Sequence, residues 1–95
     1  MTKADIVAKI SENTGIEKAA VLNTVEEFMK TVRGSLEGGE NVYLRGFGSF
    51  ITKKRAEKTG RNISKNTTMI IPEHFIPAFK PSKSFVNKVK ANVKP

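Results

Sequence analysis

The sequence has no cysteine, which excludes a disulfide framework and a zinc–thiolate site. It has no tryptophan and one tyrosine, leaving six phenylalanines to supply the aromatic share of a core. No stretch approaches the roughly 20 apolar residues of a membrane span. Met1-Thr2-Lys3-Ala4-Asp5 lacks the apolar run of a signal peptide, so a cytoplasmic location is expected. The lone histidine, His74, stands beside Phe75 without an evident catalytic partner and reads as a strand residue. Gly46-Phe47-Gly48 lacks the third glycine and the strand-to-helix setting of a dinucleotide loop. Enzymatic activity, a metal and a cofactor are therefore not expected. Acidic residues are scarce after residue 44, where only Glu57 and Glu73 occur.

That last shortage is matched by an excess. Residues 45–95 carry twelve Lys/Arg against those two acids, a balance of +10, whereas residues 1–44 carry five against seven, a balance of −2. A solubilising surface needs no such segregation, so the second half reads as a polyanion-binding region. At 95 residues the chain forms one domain near the small end of what folds alone. Small domains bury a reduced share of their surface, and a second copy would remedy that.

Thr2, followed three residues on by Asp5, caps a first helix whose apolar face is Ile6, Val7 and Ile10 and whose stop is Gly15. A longer helix follows from about Lys18. Its stripe of Val21, Leu22, Val25, Phe28, Met29, Val32 and Leu36 keeps steps of one, three and four up to Gly38-Gly39. Seven apolar positions exceed what the first helix can cover, so the surplus must meet a sheet or another subunit. Val42 and Leu44 alternate with Tyr43 as a short strand, and residues 45–48 turn the chain. A second strand opens at Ser49-Phe50-Ile51-Thr52 and is expected to continue through residue 59 with almost no apolar side chain. Residues 61–66 read as a turn, and residues 67–71 as the return strand. Pro72 and Pro77 restrict that return to an edge or an interrupted ladder. Phe75, Ile76 and Phe79 are expected to re-enter the core, and Ser82 caps a last helix faced by Phe85, Val86 and Val89. Residues 53–75 thus form a hairpin leaving the globule, where eight extended residues reach about 26 Å at ~3.3 Å each.

Three stretches carry a family resemblance: Gly46-Phe47-Gly48-Ser49-Phe50, Thr59-Gly60-Arg61-Asn62 and Pro77-Ala78-Phe79-Lys80-Pro81. Singly each is weak; together, in this order and spacing, the chain resembles the HU/IHF family of histone-like DNA-binding proteins from end to end, and HU most closely. The resemblance implies an α+β fold: a two-helix base, a three-stranded antiparallel sheet with a long β-ribbon arm, and a short C-terminal helix. It also implies an intertwined homodimer, pairing with a related chain being the variant of that theme. Residues 1–52 and 76–95 would form the dimerisation body and residues 53–75 the arm. Phe28, Phe47, Phe50 and Phe79 would be core and dimer-interface aromatics. The ligand would be double-stranded DNA in the nucleoid, bound with little sequence preference, gripped in the minor groove and bent, with kinked, nicked or flexible DNA favoured. Lys53, Arg55, Lys58, Arg61, Asn62 and Lys65 would contact it from the arm, and Lys80, Lys83 and Lys3 from the body. Where the family commonly has proline after its TGRN, this chain has Ile63, and isoleucine is among the side chains that wedge between base pairs. Asn66 replaces a common glycine, a mild change because Asn tolerates left-handed backbone.

Two other readings compete. One is a site-preferring architectural factor like IHF. The other is a basic module for proteins or membrane surfaces, against which no helix combines a basic face with an aromatic membrane edge.

Overall fold

The computed structural model describes residues 1–62 and 67–95, and the chain divides into two units, Met1–Ser35 and Leu36–Pro95. The first is helical. Helix α1 (Lys3–Thr14) starts where Thr2 adopts extended backbone and its hydroxyl accepts the Asp5 amide, while the Asp5 carboxylate accepts the Thr2 N–H at 2.9 Å. This reciprocal pair satisfies amides that a helix start leaves orphaned. The Thr2 N–H, with its hydroxyl second, holds the Asp5 carboxyl below its ordinary value. Gly15 closes α1, its N–H returning to the Ser11 carbonyl at 2.9 Å. Helix α2 (Lys18–Glu37) runs the expected length, yet only Val7 and Val21 are buried among the apolar side chains of the described residues. Phe28 of its stripe stays 47% exposed, and Leu22 and Met29 are exposed too.

In the second unit a short strand β1 (Val42–Leu44) turns into β2 (Gly48–Arg55). The turn needs Gly46, whose φ of +83° is costly for residues with a side chain, and the Phe47 N–H closes it onto the Leu44 carbonyl at 2.9 Å. β1 is too short to pair with all of β2. Asn41 extends the ladder, its Oδ1 accepting the Thr52 N–H at 3.1 Å. Two strands of the ribbon follow, β3 (Lys58–Asn62) and β4 (Thr67–Ile71), then β5 (His74–Pro81) and helix α3 (Lys83–Asn92). The main sheet is antiparallel in the order β1-β2-β5, and β3 pairs with β4 in a separate two-stranded ladder. Pro77 and Pro81 sit in β5, an edge strand that needs no amide from them. Ser82 caps α3, its Oγ accepting the Phe85 amide at 3.3 Å.

The core of this unit is aromatic. Phe50 and Phe79 face each other across β2 and β5 with ring centroids 4.9 Å apart, and Phe47 contacts Phe79 at 5.1 Å and Phe85 at 5.5 Å. Gly48 lies under that cluster. A Cβ there would stand 2.6 Å from the Lys80 carbonyl oxygen and 2.7 Å from the Phe79 ring.

Three expectations need correction. The second strand does not continue unbroken to residue 59. It stops at Arg55, and pairing resumes only at Lys58 with Ile71, because Pro72 offers no N–H to a ladder at that level. Arg61 and Asn62 are strand rather than turn, pairing with Thr68 and Thr67. Phe75 does not re-enter a core within the chain: it is 65% exposed, opposite Lys54 at the far end of β5.

Candidate nucleic-acid interface

Side chains alternate across a strand, so the β2–β5 register sorts this sheet into two faces. Phe50, Thr52 and Lys54 share the aromatic face with Phe75, Pro77 and Phe79. The opposite face carries Lys53 and Arg55 from β2 and His74 and Lys80 from β5. Lys54, on the aromatic side, is neutralised by Glu73 at 3.1 Å. Among the described residues, Lys53, Arg55 and Lys80 have no ion-pair partner. One face of the sheet therefore presents uncompensated cations, and the other presents phenylalanine rings.

A second cationic region lies where the β1–β2 turn meets the start of α3. Ser82 fixes the junction: its Oγ donates to the Gly46 carbonyl at 3.1 Å and its N–H to the Phe47 carbonyl at 2.9 Å. The hollow beside it, of about 440 Å³, is lined by Tyr43, Arg45, Lys80 and Lys83 among others. Free amides at a helix N-terminus together with basic side chains suit an anion. Sequence reasoning named Lys80 and Lys83 but missed Arg45 and Tyr43. The only available signal was that Arg45 opens a glycine turn, and nothing local says which element that turn packs on.

The remaining sequence-derived candidates are distributed along the chain. Lys58 is exposed and begins the ribbon, while Arg61 and Asn62 continue its first strand. Ile63, expected to act as a wedge, and Lys65, expected as an arm contact, lie outside the described residues. Lys3 belongs to the helical unit, where its ammonium holds Glu26 at 2.9 Å, both side chains about half exposed. A phosphate would have to displace that carboxylate. Phe47, Phe50 and Phe79 are brought together by contact; Phe28 lies in the other unit. No helix of the described residues is long and apolar enough to cross a membrane.

Comparison with known proteins bears on what these faces bind. The family model described as bacterial DNA-binding protein matches residues 1–90. The SPbeta prophage-derived DNA-binding protein HU 2 of Bacillus subtilis is 37% identical over 91 residues, covering 96% of this chain and 99% of that one. The integration host factor subunit beta of Shewanella loihica is 33% identical over 92 residues, covering 96% and 97%. The fold superposes on the HU chain of an Anabaena HU–DNA cocrystal structure with a TM-score of 0.88 at 32% identity, covering 94% of this chain and 97% of that one. With a basic sheet face, a basic hollow at a helix start and this match along nearly the whole chain, the protein belongs to the bacterial DNA-binding protein family.

Proposed function

We propose that this chain works as a homodimeric, histone-like architectural protein of the nucleoid. It binds double-stranded DNA with little sequence preference, grips the minor groove with two ribbons spanning residues 53–75, and bends the duplex. The observation that carries this reading is the separation of faces in the β2–β5 sheet: Lys53, Arg55 and Lys80 on one side, without acid partners among the described residues, and the phenylalanines on the other. DNA presents a phosphate charge about every 1.7 Å of its axis, and each contact with a cation releases counterions. A two-stranded ribbon is wide for the ~6 Å minor groove, so gripping it there widens the groove and favours a bend. Because the minor groove offers a degenerate donor and acceptor pattern, selection falls to deformability, and nicked or kinked DNA needs less bending work.

Dimerisation is supported by what a single chain leaves uncovered. Phe28, Phe75, Phe79, Val86, Val89 and Val93 are exposed, and a groove of about 490 Å³ along α3 is lined almost wholly by apolar side chains, Phe79, Phe85 and Val89 among them. Exposed apolar surface on this scale marks an association site. A second copy is the occupant this reading assigns, since residues 1–52 and 76–95 then form a shared body.

The test is removal of the ribbon. Arg55 and His74 are register partners, so residues 56–73 can be replaced by a two-residue Asn-Gly turn, which suits an antiparallel hairpin. The shortened chain should stay dimeric by sedimentation and lose most DNA affinity and all measurable bending by fluorescence transfer. Full affinity in a folded, ribbonless dimer would refute the reading.

A further inference from the structure

His74 plays no part in the reading above. It is the chain's only histidine, it opens β5 directly opposite Arg55, and strand alternation sets it on the face that carries Lys53 and Lys80. Beside it is a notch of about 300 Å³ lined by Arg55, Ala56, Lys58, Ile71 and His74. The notch sits where the main sheet ends and the ribbon begins, so β2, β3, β4 and β5 or the residues next to them all contribute.

The ring's hydrogen bonding restricts its chemistry. Nδ1 lies 2.9 Å from the Pro72 carbonyl oxygen. A carbonyl only accepts, so Nδ1 carries a hydrogen, and in the neutral ring Nε2 is left as a bare acceptor. A bare acceptor has nothing to offer a phosphate oxygen, which is also an acceptor. Once Nε2 is protonated, the ring presents a donor and a positive charge beside two permanent cations. The charged groups around it are Arg55 from β2, Lys58 from β3, Lys53 on the same face of β2, and Glu73 in the connection before β5. Glu73 is already engaged by Lys54 at 3.1 Å, and among the described residues no carboxylate lines the notch.

We propose that Arg55, Lys58 and His74 form a phosphate-binding notch at the root of each ribbon, which His74 joins only as a cation. The proposal rests on the DNA-binding reading and adds one backbone phosphate per ribbon as its ligand. A phosphate in the notch favours the charged ring, so DNA binding and proton uptake support each other. The added affinity is present where the ring is charged and is lost as rising pH leaves it neutral. Histidine ordinarily changes charge between about pH 5 and 8, which makes the effect measurable under mild conditions.

The experiment measures affinity for a nicked duplex by fluorescence anisotropy at about pH 6 and 8, the range in which a histidine titrates, over a series of salt concentrations, for the wild type and His74→Gln. From the higher to the lower pH, wild-type affinity should rise roughly threefold per notch, about tenfold per dimer, which lies within what an exposed ion pair supplies. The salt slope should steepen by about 0.9 per notch. His74→Gln should match the wild type at the higher pH and show neither change. With only one histidine in the chain, its ring protons give a second reading by NMR: at a fixed pH, adding DNA should move their chemical shifts toward those of a charged ring. Normal binding at the higher pH with identical responses in both proteins would overturn the notch and leave the DNA-binding reading intact. Failure of the wild type to bind at either pH would overturn both.

Discussion

Lys53 and Lys54 are neighbours in sequence with the same side chain, and the β2–β5 register sets them on opposite faces of the sheet. Lys53 stands on the sheet face with Arg55 and Lys80 and has no ion-pair partner among the described residues, whereas Lys54 stands with Phe75 and is held by Glu73 at 3.1 Å. Replacing each in turn by alanine therefore separates face from charge, since both variants lose one positive charge per chain. If Lys53 neutralises one phosphate on each side of a dimer, Lys53→Ala removes two contacts. The slope of log affinity against log salt should then fall by about 0.9 for each, or about 1.8 in all. Across a fourfold change in salt, that amounts to roughly twelvefold less loss of affinity than the wild type suffers. Lys54→Ala releases Glu73 as well as removing a cation. An exposed pair of this kind contributes about 1 kcal/mol or less, so its slope should stay near that of the wild type. Anisotropy titrations of one duplex at four or five salt concentrations give both slopes. A Lys54→Ala slope that falls as far as that of Lys53→Ala would refute the face assignment, because net charge alone would then govern binding.

Two further outcomes follow from the packing. Gly48→Ala drives a methyl into the Lys80 carbonyl and the Phe79 ring; overpacking of that kind costs about 1–3 kcal/mol, and calorimetry at fixed protein concentration should show a melting temperature lower by roughly 4–8 °C per kcal/mol. Asp5→Ala should lower the melting temperature at neutral pH. The native Asp5 carboxyl is held below 3.8 by Thr2, so its contribution is present above that value and disappears as the pH falls through the lowered one. Wild type and variant should therefore converge in acid, and a gap that persists there would assign the effect to something other than the capping box.

Features set by neighbours a few residues apart were legible in the sequence. Thr2 and Asp5 stand at capping-box spacing, and Gly15 and Ser82 mark a helix end and a helix start, all as observed. The β1 and β4 bounds follow from alternation and flanking turn residues. Features that depend on partners far along the chain were not legible. The ion pair of Lys3 with Glu26 joins residues 23 apart, and the meeting of Arg45 with Lys80 and Lys83 requires the turn to close on α3. The ladder break after Arg55 was half visible: Pro72 announced an interruption, but which residues of the opposite strand it would unpair depends on the register. Phe75 misled because an aromatic residue near a core strand is normally inward, and here it stays exposed at the far end of β5.

Register is what connects the core to the binding face. A strand has a side-chain period of two, so sliding β5 along β2 by one residue would carry Lys80 to the aromatic side and set Phe79 among the cations. The contact that resists such a slide is the one around Gly48. Phe79 lies over a position without a side chain, and the Lys80 carbonyl comes within 2.6 Å of where a Cβ would stand. Any other residue at 48 would push on that ring. The glycine is thus required by packing, yet its consequence is electrostatic, since the register it favours sets which of two adjacent lysines shares a face with Arg55 and Lys80. For this reason a mutation in the aromatic cluster should alter DNA affinity without touching a single cation, and should do so in step with its effect on sheet stability.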